Sequence, residues 1–211
     1  RPAIRKNTHS LLRKLFRWAV HRGDLDLSPI ADMEAPKPVP ARKRVLSPEE
    51  VACVWLAAGT LSYPWGPFVR ILITTLQRRE EVAAMCWSEV DVPGALWVLP
   101  SERAKNDEAN DVPLSGLAAR ELKMLSPRPR GLVFSTTGHT PISGFSKAKR
   151  RLDAATLVTM KRRAFERGED VEAVQMEPWR FHDLRRTGAT NMQALGFPVE
   201  VTEAILNHVS G

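Results

Sequence analysis

The chain has 211 residues, 43% hydrophobic and 26% charged, with a formal charge of +7. That length and balance suit one globular domain with a core, or one domain and part of another. No apolar run approaches the roughly 20 residues that span a bilayer, and no basic-then-apolar signal segment opens the chain. Cys53 and Cys86 lack zinc-site spacing and read as small buried hydrophobes rather than a disulfide. The positive charge is uneven. Residues 1–46 carry 11 Lys/Arg against 4 Asp/Glu, and the rest carry 20 of each. Such a basic segment suits a polyanionic partner, or is simply solvated.

In chain order, residues 4–22 read as a helix, with Leu12, Leu15, Phe16 and Ala19 on one stripe and Gly23 as its stop. Pro29, Pro36, Pro38 and Pro40 then preclude regular structure, which marks 32–45 as a linker. At "LSPEE", Ser47, Pro48 and Glu50 form a capping box that restarts the fold in a helix. Helices are expected over 67–77 and 79–84, and a strand over "ALWVLP" (95–100). A turn at "NDEAN" leads to a second strand over 111–115, and the two make a hairpin. A helix over 117–125 and a strand at "GLVFS" (131–135) follow. The remainder is mainly helical, with breaks near Gly168 and Pro178. The fold class is therefore α+β, mainly α-helical, with a small antiparallel β-sheet near the middle of the chain.

Four places carry chemistry. In "FHDLRRTGAT", His182 and Arg185 are three residues apart and share a helical face, while Arg186 points elsewhere. They are either surface charges or two groups reaching for one anion. In "QRREEV", Glu81 pairs with Arg78 either as a structural ion pair or to hold a guanidinium fork for a phosphate. Lys105 stands on the hairpin, solvated or reaching for a substrate. In "PVEVTEAILNHVSG", Val201, Ala204 and Ile205 form an apolar stripe. His208 continues it, as a core histidine or facing the same cleft as His182.

These pieces, in this order, resemble the catalytic domain of the tyrosine recombinases, the phage integrase family. The resemblance extends to "VLSPEEV" and to "THSLLRKLFRWAVHRG", which is similar to the last helix of that family's core-binding domain. It implies a core-binding helix over 1–31, a basic linker over 32–45 and a catalytic domain over 46–211. The implied activity is site-specific cutting and rejoining of DNA through a 3′-phosphotyrosyl intermediate, without cofactor or metal. Arg78 and Arg185 would clamp the phosphate, Lys105 would protonate the leaving oxygen, and His182 and His208 would assist. The implied partner is double-stranded DNA at a recombination site, bound as a homo-tetramer, in the bacterial cytoplasm at the nucleoid. Two other readings share these features: a non-catalytic DNA-binding relative, and a type IB topoisomerase.

The sequence departs from the family pattern in three ways. Leu76 stands where the family often has glycine. The hairpin is acidic at Asp107, Glu108 and Asp111, so Lys105 is expected to be mobile without DNA. The sole tyrosine is Tyr63, in "LSYPWG" and outside any matching motif. The nucleophile is expected beyond Gly211, which makes the 211-residue chain inactive by itself.

Overall fold

A computed structural model describes residues 2–38, 40, 43–125 and 131–207. His208 lies outside the described residues. The chain divides into two units, Arg1–Lys43 and Arg44–Gly211. In the first, α1 (Pro2–His21) ends where Gly23 takes a left-handed φ of 79° and Asp24 N–H donates to the Ala19 carbonyl. Leu12, Phe16, Ala19 and Val20 are half-buried along one stripe. Leu15, expected on that stripe, is exposed.

The second unit opens with α2 (Pro48–Ala58), whose Ser47 hydroxyl and Glu50 carboxylate cap each other's backbone as the sequence predicts. Next come α3 (Trp65–Thr75), the short α4 (Arg79–Ala83) and three antiparallel strands in sequential order. These are β1 (Val90–Asp91), β2 (Leu96–Leu99) and β3 (Asn110–Pro113). In β2 the side chains alternate: Trp97 and Leu99 are buried, while Val98 faces out. Trp97 pairs with Val112 and Leu99 with Asn110, so the hairpin carrying Lys105 is in fixed register. The two residues of β1 are too few to show any alternation in sequence.

The helices α5 (Gly116–Met124), α6 (Phe145–Glu166), α7 (Phe181–Ala194) and α8 (Val199–Ile205) complete the unit. The strand expected at "GLVFS" does not form; only a bridge between Cys86 and Leu132 exists there. Val133 and Phe134 are both buried, and the Ser135 hydroxyl then accepts the Thr137 and Gly138 amides, which turns the chain. In α8 the core-facing positions are Thr202 and Leu206, not the expected Val201 stripe; Val201 is exposed.

An aromatic cluster holds α3, α6 and α7 together. Phe68, fully buried, meets Phe134, Phe145 and Phe181 at ring distances of 5.7, 5.8 and 6.0 Å. Since Phe181 is the first residue of α7, this core contact fixes where His182 emerges. From the other side, the Leu46 amide donates to the buried Thr187 hydroxyl at 2.9 Å.

One close approach sets the backbone beside α7. Leu76 ends α3 in the left-handed region, φ 58° and ψ 16°, and its side chain fills the space over Gly188. A Cβ added at Gly188 would lie 2.1 Å from Leu76 Cδ2. Gly188→Ala is expected to lower stability by about 1–3 kcal/mol through overpacking. Adding Leu76→Gly to that variant removes both the clash and the left-handed strain, and should restore most of the loss. Urea unfolding of both single variants and the double variant measures this; additive losses would disprove the interlock.

Candidate active site

Each predicted residue is placed by a different part of the fold. Arg78 precedes α4 with extended backbone, and Glu81 folds back to hold it. Glu81 is 3% exposed; its Oε2 accepts the Arg78 amide and its Oε1 accepts Arg78 Nη1, both at 3.0 Å. The same Oε1 also accepts the Lys105 backbone amide at 3.4 Å. The buried carboxylate thus fixes the arginine and the hairpin together. Lys105 itself is exposed.

Arg78, Lys105 and His182 line one cavity of about 280 Å³, together with Arg79, Glu80, Arg180 and Phe181. Arg78 and Lys105 also share a second cavity of about 470 Å³ with Glu80, Glu81, Ala84 and Arg103. Three segments spread over about half of the chain therefore converge on this cavity.

Arg185 is placed differently from expectation. It does not share an open face with His182; it is 5% exposed and lies outside the walls of both cavities. Its Nη1 donates to the Leu76 carbonyl at 2.8 Å and its Nη2 to the Leu206 carbonyl. The reason is the left-handed turn at Leu76, which aims a carbonyl into the space beside α7. Burial pushes the Arg185 guanidinium down to about 10; neighbouring Arg78 adds to this, and Glu81 and Glu203 oppose it. It stays charged at neutral pH. Arg186, as expected, points elsewhere and pairs with Asp183 at 3.1 Å.

The carbonyls at the end of α8 receive three donors in succession. Ile205 accepts Gln77 Nε2 at 2.8 Å, Leu206 accepts Arg185, and Asn207 accepts Arg78 Nη2 at 3.4 Å. Helix C-terminal carbonyls carry partial negative charge, so they suit guanidinium groups. The sequence did not single out Gln77 or Asn207, although the adjacency of Gln77 to Arg78 was a usable signal. Leu76 was marked only as standing where the family often has glycine, which fits its left-handed φ of 58°.

His182 stands at the cavity edge. Partial burial, then the charges of Arg185 and Arg186, lower its imidazole below the ordinary value of 6.5; Asp183 opposes them and Lys105 adds slightly. The ring is therefore neutral at pH 7. Tyr63 is elsewhere engaged: its hydroxyl accepts the Ser135 amide at 3.1 Å and lies 3.0 and 2.9 Å from the Val133 and Ser135 carbonyls. Cys53 and Cys86 are free thiols, and burial raises both. No group of three or more His, Cys, Asp or Glu is placed to hold a metal, and no helix is long and apolar enough to cross a membrane, among the described residues.

The model of the phage integrase family matches residues 45–211. The chain belongs to this family, the tyrosine recombinases. Among related family members, the integrase of Salmonella phage P22 is 29% identical over 205 residues, which is 94% of this chain and 49% of that protein. Prophage integrase IntA of Escherichia coli K12 is 29% identical over 137 residues, 65% of this chain and 30% of its own length. The chain thus spans half or less of these integrases. Lambda integrase, solved as a tetramer on a Holliday junction, has the same fold: TM-score 0.69 and 19% identity, over 97% of this chain and 58% of that one. XerA recombinase matches at TM-score 0.59 and 20% identity, over 90% and 62%.

Two outcomes follow from this family site. Arg185→Ala strips two buried carbonyls of their donors and leaves a cavity, so urea unfolding should show a loss of roughly 2–4 kcal/mol. Arg186→Ala breaks a half-exposed ion pair and should cost under about 1 kcal/mol. Equal losses would contradict the buried placement of Arg185. The His182 shift has a sign. Below pH 6.5 the unfolded chain takes up a proton on this ring that the native state refuses until its lowered value is reached. Stability should fall across that window as pH drops, and His182→Gln should flatten that part of the profile.

Proposed function

We propose that the chain is the catalytic part of a site-specific recombinase that cuts and rejoins double-stranded DNA. The observation that carries this is the convergence of Arg78, Lys105 and His182 on one cavity with two further arginines, in a chain of the phage integrase family. A cavity with four cationic side chains suits a phosphodiester rather than an apolar ligand.

In this reading a tyrosyl oxygen attacks phosphorus, and the 5′-oxygen leaves. Negative charge concentrates on the non-bridging oxygens, which Arg78 would bind directly. Arg185 would act from beneath. Both of its terminal nitrogens are engaged by carbonyls, and its charge is felt at His182, which lines the cavity. His182, neutral at pH 7, can take the tyrosine proton, and Lys105 can give one to the leaving oxygen. The phosphotyrosyl bond conserves the energy of the cut for rejoining. His208 completes the set as a further donor.

The hydrogen bonds of Tyr63 to the 133–135 backbone, outside the walls of the cavity of Arg78, Lys105 and His182, argue against it as nucleophile. The nucleophile is assigned to sequence following Gly211. DNA is the proposed partner, as it is for lambda integrase, and a tetramer on the junction is the proposed assembly. Residues 1–31 would be the last helix of a core-binding domain, with 32–45 as a basic linker. The boundary between units at Lys43 and Arg44 supports this.

With the native sequence after Gly211 present, the protein should form a denaturation-resistant adduct on nicked DNA carrying its own attachment site. The 211-residue chain should bind without attaching. Arg78→Ala should slow adduct formation by about 10²-fold or more, and Tyr63→Phe should not change it. No adduct from the longer chain would favour a binding-only relative. Deleting residues 1–45 should flatten the dependence of DNA affinity on salt; an unchanged slope would remove this segment as the backbone grip.

A further inference from the structure

The acidic hairpin that carries Lys105 is tied to the chain just after α8 by two asparagines. Asn106 Nδ2 lies 3.2 Å from both the carbonyl and the Oδ1 of Asn207. In return, Asn207 Nδ2 donates to Asn106 Oδ1 at 3.1 Å and to the Glu108 carbonyl at 3.2 Å. Asn207 has a left-handed φ of 46°, a conformation asparagine tolerates better than most residues. That conformation places its carbonyl and its amide toward the same hairpin.

The Asn207 carbonyl that accepts Asn106 is also the one that accepts Arg78 Nη2. On the opposite side, Glu81 Oε1 accepts both Arg78 Nη1 and the Lys105 amide. The hairpin and Arg78 therefore share two acceptors. A lysine placed on a hairpin at random would sweep a wide arc, because its side chain has four rotatable bonds.

We propose that Asn106 and Asn207 are a positioning pair. By sharing the Asn207 carbonyl with Arg78, they hold Lys105 in register with the phosphate-binding arginine. This rests on the strand-transfer reading given above. In that step the bond between tyrosyl oxygen and phosphorus forms and the bond from phosphorus to the 5′-oxygen breaks. The tyrosine proton passes to His182. The Lys105 ammonium gives its proton to the 5′-oxygen and is left as an amine. Proton delivery to the leaving oxygen needs hydrogen-bond reach, so a displaced hairpin would impair that half of the reaction and leave phosphate binding intact.

The test uses the protein with its native sequence after Gly211, and the variants Asn106→Ala and Asn207→Gly. Glycine keeps the left-handed backbone and removes only the side chain. Two readouts are needed. In hydrogen exchange, the amides of residues 104–109 should exchange about fivefold faster in either variant, the effect of losing one ordinary hydrogen bond. Core amides should be unchanged, which confirms folding. In cleavage under saturating DNA, both variants should be slower by about tenfold or more, with DNA affinity unchanged. On DNA whose 5′-bridging oxygen is replaced by sulfur, the leaving thiolate needs no proton. There both variants, and Lys105→Ala, should return to within about threefold of the unsubstituted protein.

Unchanged exchange in the hairpin would overturn the tie itself. A cleavage loss that sulfur does not relieve would overturn the link to Lys105. If the unsubstituted protein cleaves neither substrate, the recombinase reading fails and the positioning role fails with it. The exchange data still report separately whether the asparagine pair holds the hairpin.

Discussion

Two guanidinium charges close together under a protein surface repel each other, and the rest of this site is arranged around that fact. Arg185 is nearly enclosed, and Arg78 lies near enough to lower its proton affinity. Arg185 keeps its charge at neutral pH all the same. The fold answers with one buried carboxylate, Glu81, and with backbone carbonyls at the ends of α3 and α8. Carbonyl dipoles neutralise part of the charge without an ion pair. A full set of carboxylates there would cancel the positive charge that faces the cavity. The arrangement therefore keeps a positive field facing the cavity while satisfying the donors behind it.

This explains why short irregular pieces matter as much as the helices. Both α3 and α8 finish beside residues with positive φ, Leu76 and Asn207, and each of those turns aims a carbonyl at an arginine. Gln77, buried between them, donates to Ile205 and accepts from Asn110, which ties the sheet to α8. The aromatic cluster around Phe68 supplies the stiffness that lets such small contacts hold position.

Much of this could be read from residue order. The capping box at Ser47, the hairpin around residues 96–113 and the helices near 67, 79 and 181 all carry local signals: caps, turns and periodicity. The grouping of Arg78, Lys105 and His182 came from a family pattern of spaced motifs. What could not be read was depth. Helical spacing placed His182 and Arg185 on one face, but it cannot say that Leu76 will turn left-handed and roof over the arginine. The α8 stripe failed for the same reason. Val201, Ala204 and Ile205 repeat with helical spacing, yet a seven-residue helix buries whatever its neighbours reach, here Thr202, with Leu206 buried just past its end. "GLVFS" has strand composition, but the hydroxyl of its own last residue, Ser135, turns the chain before a ladder can grow.

The interlock of Leu76 with Gly188 constrains how this chain can change over generations. The leucine side chain at position 76 occupies the place a side chain at 188 would take. With the leucine present, a larger residue at 188 is penalised by overpacking until position 76 shrinks. The two sites are thus expected to covary among relatives, with an order to their substitutions. The more constrained member is the inconspicuous glycine in the middle of α7, one turn after the buried Arg185.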